Sequence, residues 1–340
     1  MKIPLDIPPF DDAALEQQIR ARWDNLTKPP GSLGFLEDLA TRYALIRGGR
    51  FPSLESKGMY VFCADHGVTE EGVSAFPAEI TVQMVRNFLR GGAAINVLCR
   101  HYGIATSIVD CGVNAPCEPG AVDCRLGNGT ANFAIAPAMT RAQAERAIEN
   151  GITLATQSAR QHDIAGVGEM GIGNTTSASA LLCAFCGVAP AEASGRGAGL
   201  DDAGVIRKAR IIEAALSLHA PRVEDPVAVL AALGGFEIAT IAGFLLGAAS
   251  LRLPVVIDGF IASSAALAAR AIQPAAAGAW FFAHCSAEKA HRTMLAHLHA
   301  RPMLDLEMRL GEGSAAAIGI GVIETALKLY IEMASFEDLR

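Results

Sequence analysis

Short runs rich in β-branched and aromatic residues recur along this chain, each leading into a polar or glycine-bearing turn and then a longer stretch of helical periodicity. They are Met59-Tyr60-Val61-Phe62-Cys63, Ser107-Ile108-Val109, Ile164-Ala165-Gly166-Val167, Pro254-Val255-Val256-Ile257 and Trp280-Phe281-Phe282. Strand and helix in alternation imply parallel strands, because each crossover helix returns the chain to the end it started from. The expected fold is α/β, a Rossmann-like parallel sheet flanked by helices. Ahead of it, Ala13 to Ile46 shows helical spacing interrupted by Thr27-Lys28-Pro29-Pro30-Gly31-Ser32-Leu33-Gly34, and Gly313 to Leu329 reads as a late helix. These segments predict a smaller helical lobe from residues 1–57 and 301–340, beside a large α/β domain over 58–300.

Of the 340 residues, 51% are hydrophobic but only 6% aromatic, so Gly and Ala fill the apolar segments and predict close packing and backbone near a ligand. A net charge of −7 without any Lys/Arg run argues against nucleic acid as a partner. The N-terminus has prolines and an acid where a signal peptide needs an apolar core, so the cytoplasm is expected. The uncharged run from Met170 to Ala191 opens with polar residues and breaks at Pro190, which suits a buried helix and not a membrane span. Eight cysteines are expected as reduced core thiols. Cys183-Ala184-Phe185-Cys186 has no second pair at zinc spacing, so no metal is expected.

The five strand-like runs lead into Ala64-Asp65-His66-Gly67, Asp110-Cys111-Gly112, Gly168-Glu169, Asp258-Gly259 and Ala283-His284-Cys285-Ser286. In an open parallel sheet the carboxyl ends of the strands form the ligand crevice, so these positions are the candidate site. Two glutamates there are framed by glycine, in Gly168-Glu169-Met170-Gly171-Ile172-Gly173-Asn174-Thr175-Thr176 and in Leu310-Gly311-Glu312-Gly313-Ser314. Each acid either caps the helix that follows it or is aimed from a tight turn at a ligand. Two such turns in one chain favour the ligand.

Gly171-Ile172-Gly173-Asn174-Thr175-Thr176-Ser177, between strand and helix, has the composition of a phosphate or carboxylate cradle, though neither a P-loop nor a dinucleotide fingerprint. A well-capped buried helix is the alternative. Lys208 follows the loop Gly195-Arg196-Gly197-Ala198-Gly199 and its two acids; a lysine there can bring a cation to a phosphate, but sequence alone favours a solvated helix residue. Asp65-His66 resembles half of a metal or phosphatase site without further ligands at matching spacing. His284, His291, His297 and His299 form no metal signature either.

Five motifs then fall in order: Lys28-Pro29-Pro30-Gly31-Ser32-Leu33-Gly34; Ala64-Asp65-His66-Gly67-Val68 with Glu71-Gly72-Val73-Ser74; Gly168 to Thr175; Asp258-Gly259-Phe260; and Leu310-Gly311-Glu312-Gly313. Together they resemble the nicotinate-nucleotide:dimethylbenzimidazole phosphoribosyltransferase family of cobalamin synthesis. The resemblance implies transfer of phosphoribose from nicotinate mononucleotide to 5,6-dimethylbenzimidazole without a cofactor, in a homodimer. It implies Glu312 as the base taking the benzimidazole proton and Glu169 as a second acid near the reacting centre. It places phosphate and ribose against Gly171, Gly173, Asn174, Thr175, Lys208, Asp258, Ser286 and Gly311, and the aromatic base beside Ser74, Gln83 and Leu310. Ala198 stands where the family usually has Thr, which implies a missing hydroxyl near the donor. The same chemistry on a purine or phenolic base, and a non-catalytic mononucleotide-binding protein, are the competing readings.

Overall fold

The computed structural model describes residues 5–197, 199–220 and 222–339. Its helices of α type are α1 (Ala13–Asn25), α2 (Phe35–Arg47), α3 (Ile80–Arg90), α4 (Ala94–Tyr102), α5 (Arg141–Ala159), α6 (Asn174–Cys186), α7 (Pro190–Ala193), α8 (Asp202–His219), α9 (Pro226–Leu233), α10 (Phe236–Ser250), α11 (Phe260–Ile272), α12 (His291–His297) and α13 (Ser314–Glu332). The strands are β1 (Lys57–Ala64), β2 (Ala105–Gly112), β3 (Val122–Asp123), β4 (Ile164–Met170), β5 (Val255–Ile257), β6 (Trp280–His284) and β7 (Pro302–Leu304).

All seven strands are parallel, in the order β3-β2-β1-β4-β5-β6-β7. Each of the five sequence runs falls on a strand, and the α/β expectation holds. Every residue of β1 and β6 is buried, as in a sheet covered on both faces. The strand order reverses between β1 and β4, and that switch point is where such sheets open a crevice beyond their carboxyl ends.

The breaker cluster around Pro29 and Pro30 separates α1 from α2, as its composition predicts. α2 stops at Gly48, which takes the left-handed conformation (φ 71°) and returns its N–H to Ala44 and Leu45 carbonyls. The C-terminal helix α13 packs against α2, α4 and the sheet. By length and composition α13 is able to cross a membrane, yet eleven of its residues are buried inside the protein. α5 and α10 meet backbone to backbone: a Cβ on Gly151 would lie 2.1 Å from Thr240 O, and one on Gly243 2.1 Å from Ile148 O. That approach fixes α10, and with it the acid Glu237 in its first turn.

Candidate active site

The two glycine-framed glutamates meet. Glu169 is the penultimate residue of β4, at the switch point, and the Glu312 N–H donates to its carbonyl (3.2 Å). The contact depends on the glycines. A Cβ on Gly168 would stand 2.1 Å from Gly313 N, and one on Gly311 2.6 Å from Glu169 Oε1. Glu312 itself is held in the left-handed region at φ 65°, which a glutamate occupies only when its surroundings enforce it.

Neither acid caps its own following helix; α6 and α13 are entered through Gly173 and Gly313 without a side-chain cap. The Glu169 carboxylate instead accepts from Asn174 Nδ2. Burial pushes Glu169 up to about 8, opposed by that amide and reinforced by the neighbouring acids Asp258, Glu237 and Glu312. Burial also raises Glu312, against a backbone hydrogen bond from Ile95 at the start of α4. Glu312 is only 6% exposed, and its Oε2 has no hydrogen-bond partner. A buried carboxylate oxygen left open in this way is available to a ligand proton.

Asp258, just beyond β5, accepts from Gly313 N (3.1 Å) and Ala316 N (2.9 Å). It thereby caps α13 from outside and ties the Glu312 turn to the sheet. Burial lifts it to about 7, although the N–H groups of Ala316, Gly313 and Ala315 pull the other way. Ser286 follows β6; its N–H donates to His291 Nδ1 (2.8 Å) and its hydroxyl to Met308 O (3.2 Å). His291 is pushed down to about 3 by burial and by His284. It stays neutral, as that acceptor role requires.

On the other side of Glu169, Gly173 turns at φ 92° into α6, whose dipole gives this end a positive potential. Lys208 is not solvated. It is 1% exposed, and Nζ donates to Thr175 Oγ1 at 2.8 Å. Burial lowers it to about 8, opposed by Glu288. Next to Thr175, with a Cβ on Gly197 only 3.0 Å from its hydroxyl, lies a cavity of about 460 Å³ lined by Arg196, Gly197, Glu288, Lys289 and Arg309. Ala198 lies outside the described residues.

Ser74 accepts from Phe76 N (3.2 Å), Gln83 lies exposed on α3, and Leu310 is 56% exposed beside Glu312. The sequence motifs missed Glu237. It pairs with His66 beneath the cradle, Nε2 to Oε1 at 2.7 Å, with both side chains fully buried. Gly234-Gly235-Phe236-Glu237, an acid in the first helical turn two residues past a glycine, is a weaker form of the signal that marked the other two glutamates.

Comparison with known proteins decides the kinship. A phosphoribosyltransferase family model matches residues 7–339. The nicotinate-nucleotide–dimethylbenzimidazole phosphoribosyltransferase of Geobacter sp. (strain M21) is 49% identical over 335 residues, covering 98% of this chain and 96% of its own. The chain belongs to the nicotinate-nucleotide–dimethylbenzimidazole phosphoribosyltransferase family. The relative of that name in Geobacter metallireducens is 50% identical over 330 residues, 96% of this chain and 94% of its own. The crystal structure of CobT from Thermus thermophilus superposes with a TM-score of 0.91 at 41% identity, covering 96% of this chain and 98% of that one.

Proposed function

We propose that this protein transfers phosphoribose from nicotinate mononucleotide to 5,6-dimethylbenzimidazole, releasing nicotinate and α-ribazole 5′-phosphate. The observation that carries the reading is the Glu312 carboxylate, buried, forced into a left-handed turn and open at Oε2 beside Glu169. One benzimidazole nitrogen attacks C1′ of the donor from the face opposite nicotinate. The C1′–N bond breaks toward the pyridinium, whose positive charge is neutralised by the departing pair, so the leaving group needs no acid. Glu312 takes the N–H proton from the other benzimidazole nitrogen, and its raised affinity for protons suits that task. Glu169, which keeps its proton up to about pH 8, is the second acid beside the reacting centre.

The donor's phosphate sits against Gly171, Gly173, Asn174, Thr175 and Lys208, supported by the helix dipole and the buried ammonium. Ser286 and Asp258 flank the ribose. Asp258 acts mainly by anchoring the Glu312 turn, because both its oxygens already accept from α13. The aromatic base stacks near Leu310, with Ser74 and Gln83 at its rim. Mixing the protein with both substrates is expected to release nicotinate, and Glu312→Gln to lower that turnover by about 10²–10⁴-fold with the fold retained. Unchanged turnover in this variant removes the base. Nicotinate release that persists with purine or phenolic acceptors in competition widens the acceptor class.

We assign the chain to the cytoplasm and to a homodimer. The segments 1–57 and 301–340 act as one lobe, with Arg22 donating to Tyr330 O and Ile331 O and Leu26 bridged to Ser335. Exposed Phe51, Ile331 and Phe336 on this lobe favour a partner surface there.

A further inference from the structure

The segment that carries the acceptor residues Ser74 and Gln83 is tied to the donor side at both of its ends. At its start, Gly72 sits in the left-handed region at φ 65°, and its carbonyl accepts from a guanidinium nitrogen of Arg207 (3.2 Å). Arg207 precedes Lys208 on α8. At its far end, Thr81, in the first turn of α3, accepts at Oγ1 from the Ile172 N–H (3.1 Å). A backbone N–H can only donate, so the direction of this bond needs no assumption about the hydroxyl hydrogen. The bond is buried and joins residues 91 apart in sequence.

Ile172 is the middle of the cradle turn, whose flanking glycines rest on neighbouring elements. A Cβ on Gly171 would lie 2.4 Å from Ala64 O at the end of β1, and one on Gly173 2.7 Å from Thr69 Cγ2 in the 3₁₀ turn Gly67–Glu71. The Asn174 N–H is spent on the Gly171 carbonyl (3.1 Å). Two N–H groups of the turn are thus committed inside the protein, one to Gly171 and one to Thr81, and they set the direction in which the rest of the turn faces. Moving α3 drags Ile172, because breaking the bond strands a buried N–H. The peptide that moves belongs to the surface the phosphate meets.

We propose that Thr81 is a positioning residue that locks the cradle turn to the acceptor helix, so that donor phosphate and aromatic base bind interdependently. The proposal rests on the cradle holding the donor's phosphate and on α3 bordering the base in the reaction proposed above. A base that steadies α3 steadies Ile172 through this one bond, and linkage then requires the phosphate to tighten the base by the same factor. Calorimetry with ribose 5-phosphate reads that factor, since this compound has the donor's phosphate but no nicotinate to lose. In the wild type, saturating ribose 5-phosphate is expected to lower the dissociation constant of dimethylbenzimidazole about tenfold. Thr81→Val keeps the shape and removes the acceptor, and is expected to bring the factor below about twofold. Thr81→Ser, which keeps the hydroxyl, is expected to restore it.

A wild type without this coupling, a Thr81→Val protein that retains it, or a Thr81→Ser protein that lacks it overturns the proposal. A merely structural threonine gives the second of these results, because its loss lowers Tm and weakens both ligands yet leaves their ratio intact. If Thr81→Val does not fold, amide exchange in the wild type decides: dimethylbenzimidazole alone is expected to slow exchange at Ile172 about tenfold, and an unchanged rate overturns the proposal. Nicotinate release is read separately. A wild type that couples the two ligands but releases no nicotinate ends the transferase reading and keeps the link, whereas release without coupling ends the link alone.

Discussion

Replacing Gly168 by alanine tests whether the two glutamate turns form one device. The added methyl would lie 2.1 Å from Gly313 N, 2.4 Å from Gly313 Cα and 2.5 Å from the Glu312 carbonyl carbon. All three are backbone atoms, so no side chain can swing aside. Ordinary contact begins near 3.4 Å, so the Gly311–Gly313 turn must retreat by roughly 3.4 − 2.1, about 1.3 Å, unless β4 yields. β4 cannot easily yield, since Gly168 is paired in register with Val61 of the buried strand β1. Overpacking of this kind costs about 1–3 kcal/mol of stability. A shift of about 1 Å at a reacting group costs about 10²-fold in rate, or about 2.7 kcal/mol of activation free energy. The donor site, on the other side of Glu169, should be spared. Steady-state release of nicotinate is therefore expected to show kcat reduced about 10²-fold with the donor's Michaelis constant changed less than about threefold. A folded Gly168→Ala protein with kcat within about threefold of wild type would refute the idea that this contact sets the position of Glu312.

Stability is expected to depend on pH through Glu169. Its folded value of about 8 lies above the ordinary 4.5, so the folded protein keeps a proton that the unfolded chain releases; stability from this group is greatest below pH 4.5 and is lost as pH rises through about 8. Thermal melts of Glu169→Gln should lack that part of the decline, and identical pH slopes would count against the buried acid. Lys208, lowered to about 8, should lose its charge above that pH. The donor's kcat/KM is expected to fall there in the wild type, and Lys208→Met to start low and lack that step; a wild-type profile in the variant would remove the ammonium from the phosphate site.

Much of this architecture was legible because strands buried on both faces must be apolar and short, and helices between them must be long. β3 and β7 were not legible. β3 has two residues, and β7 begins at Pro302, so neither carries a period of its own. The glycine-framed glutamates were visible as a pattern, but their mutual contact was not, since positions 169 and 312 are joined only by the fold. The burial of Lys208 was not legible from its residues alone, which favoured a solvated helix position, because helical spacing gives no measure of burial at a particular rim. His66 and Glu237 lie 171 residues apart, and a dyad of that span leaves no local spacing to read. The helix-capping alternative for the two glutamates failed for a physical reason: glycine already supplies the turn at each helix entrance, which frees the carboxylate for other work.

The hydrogen bond from Glu312 to the carbonyl of Glu169 has an evolutionary corollary. Loops that lean on each other through main chain cannot drift independently, because a shift in either drags its neighbour. Variation in acceptor choice among descendants of this enzyme should therefore accumulate around α3 and Leu310, where solvent-facing side chains can change without disturbing the machinery, while the paired turns stay frozen.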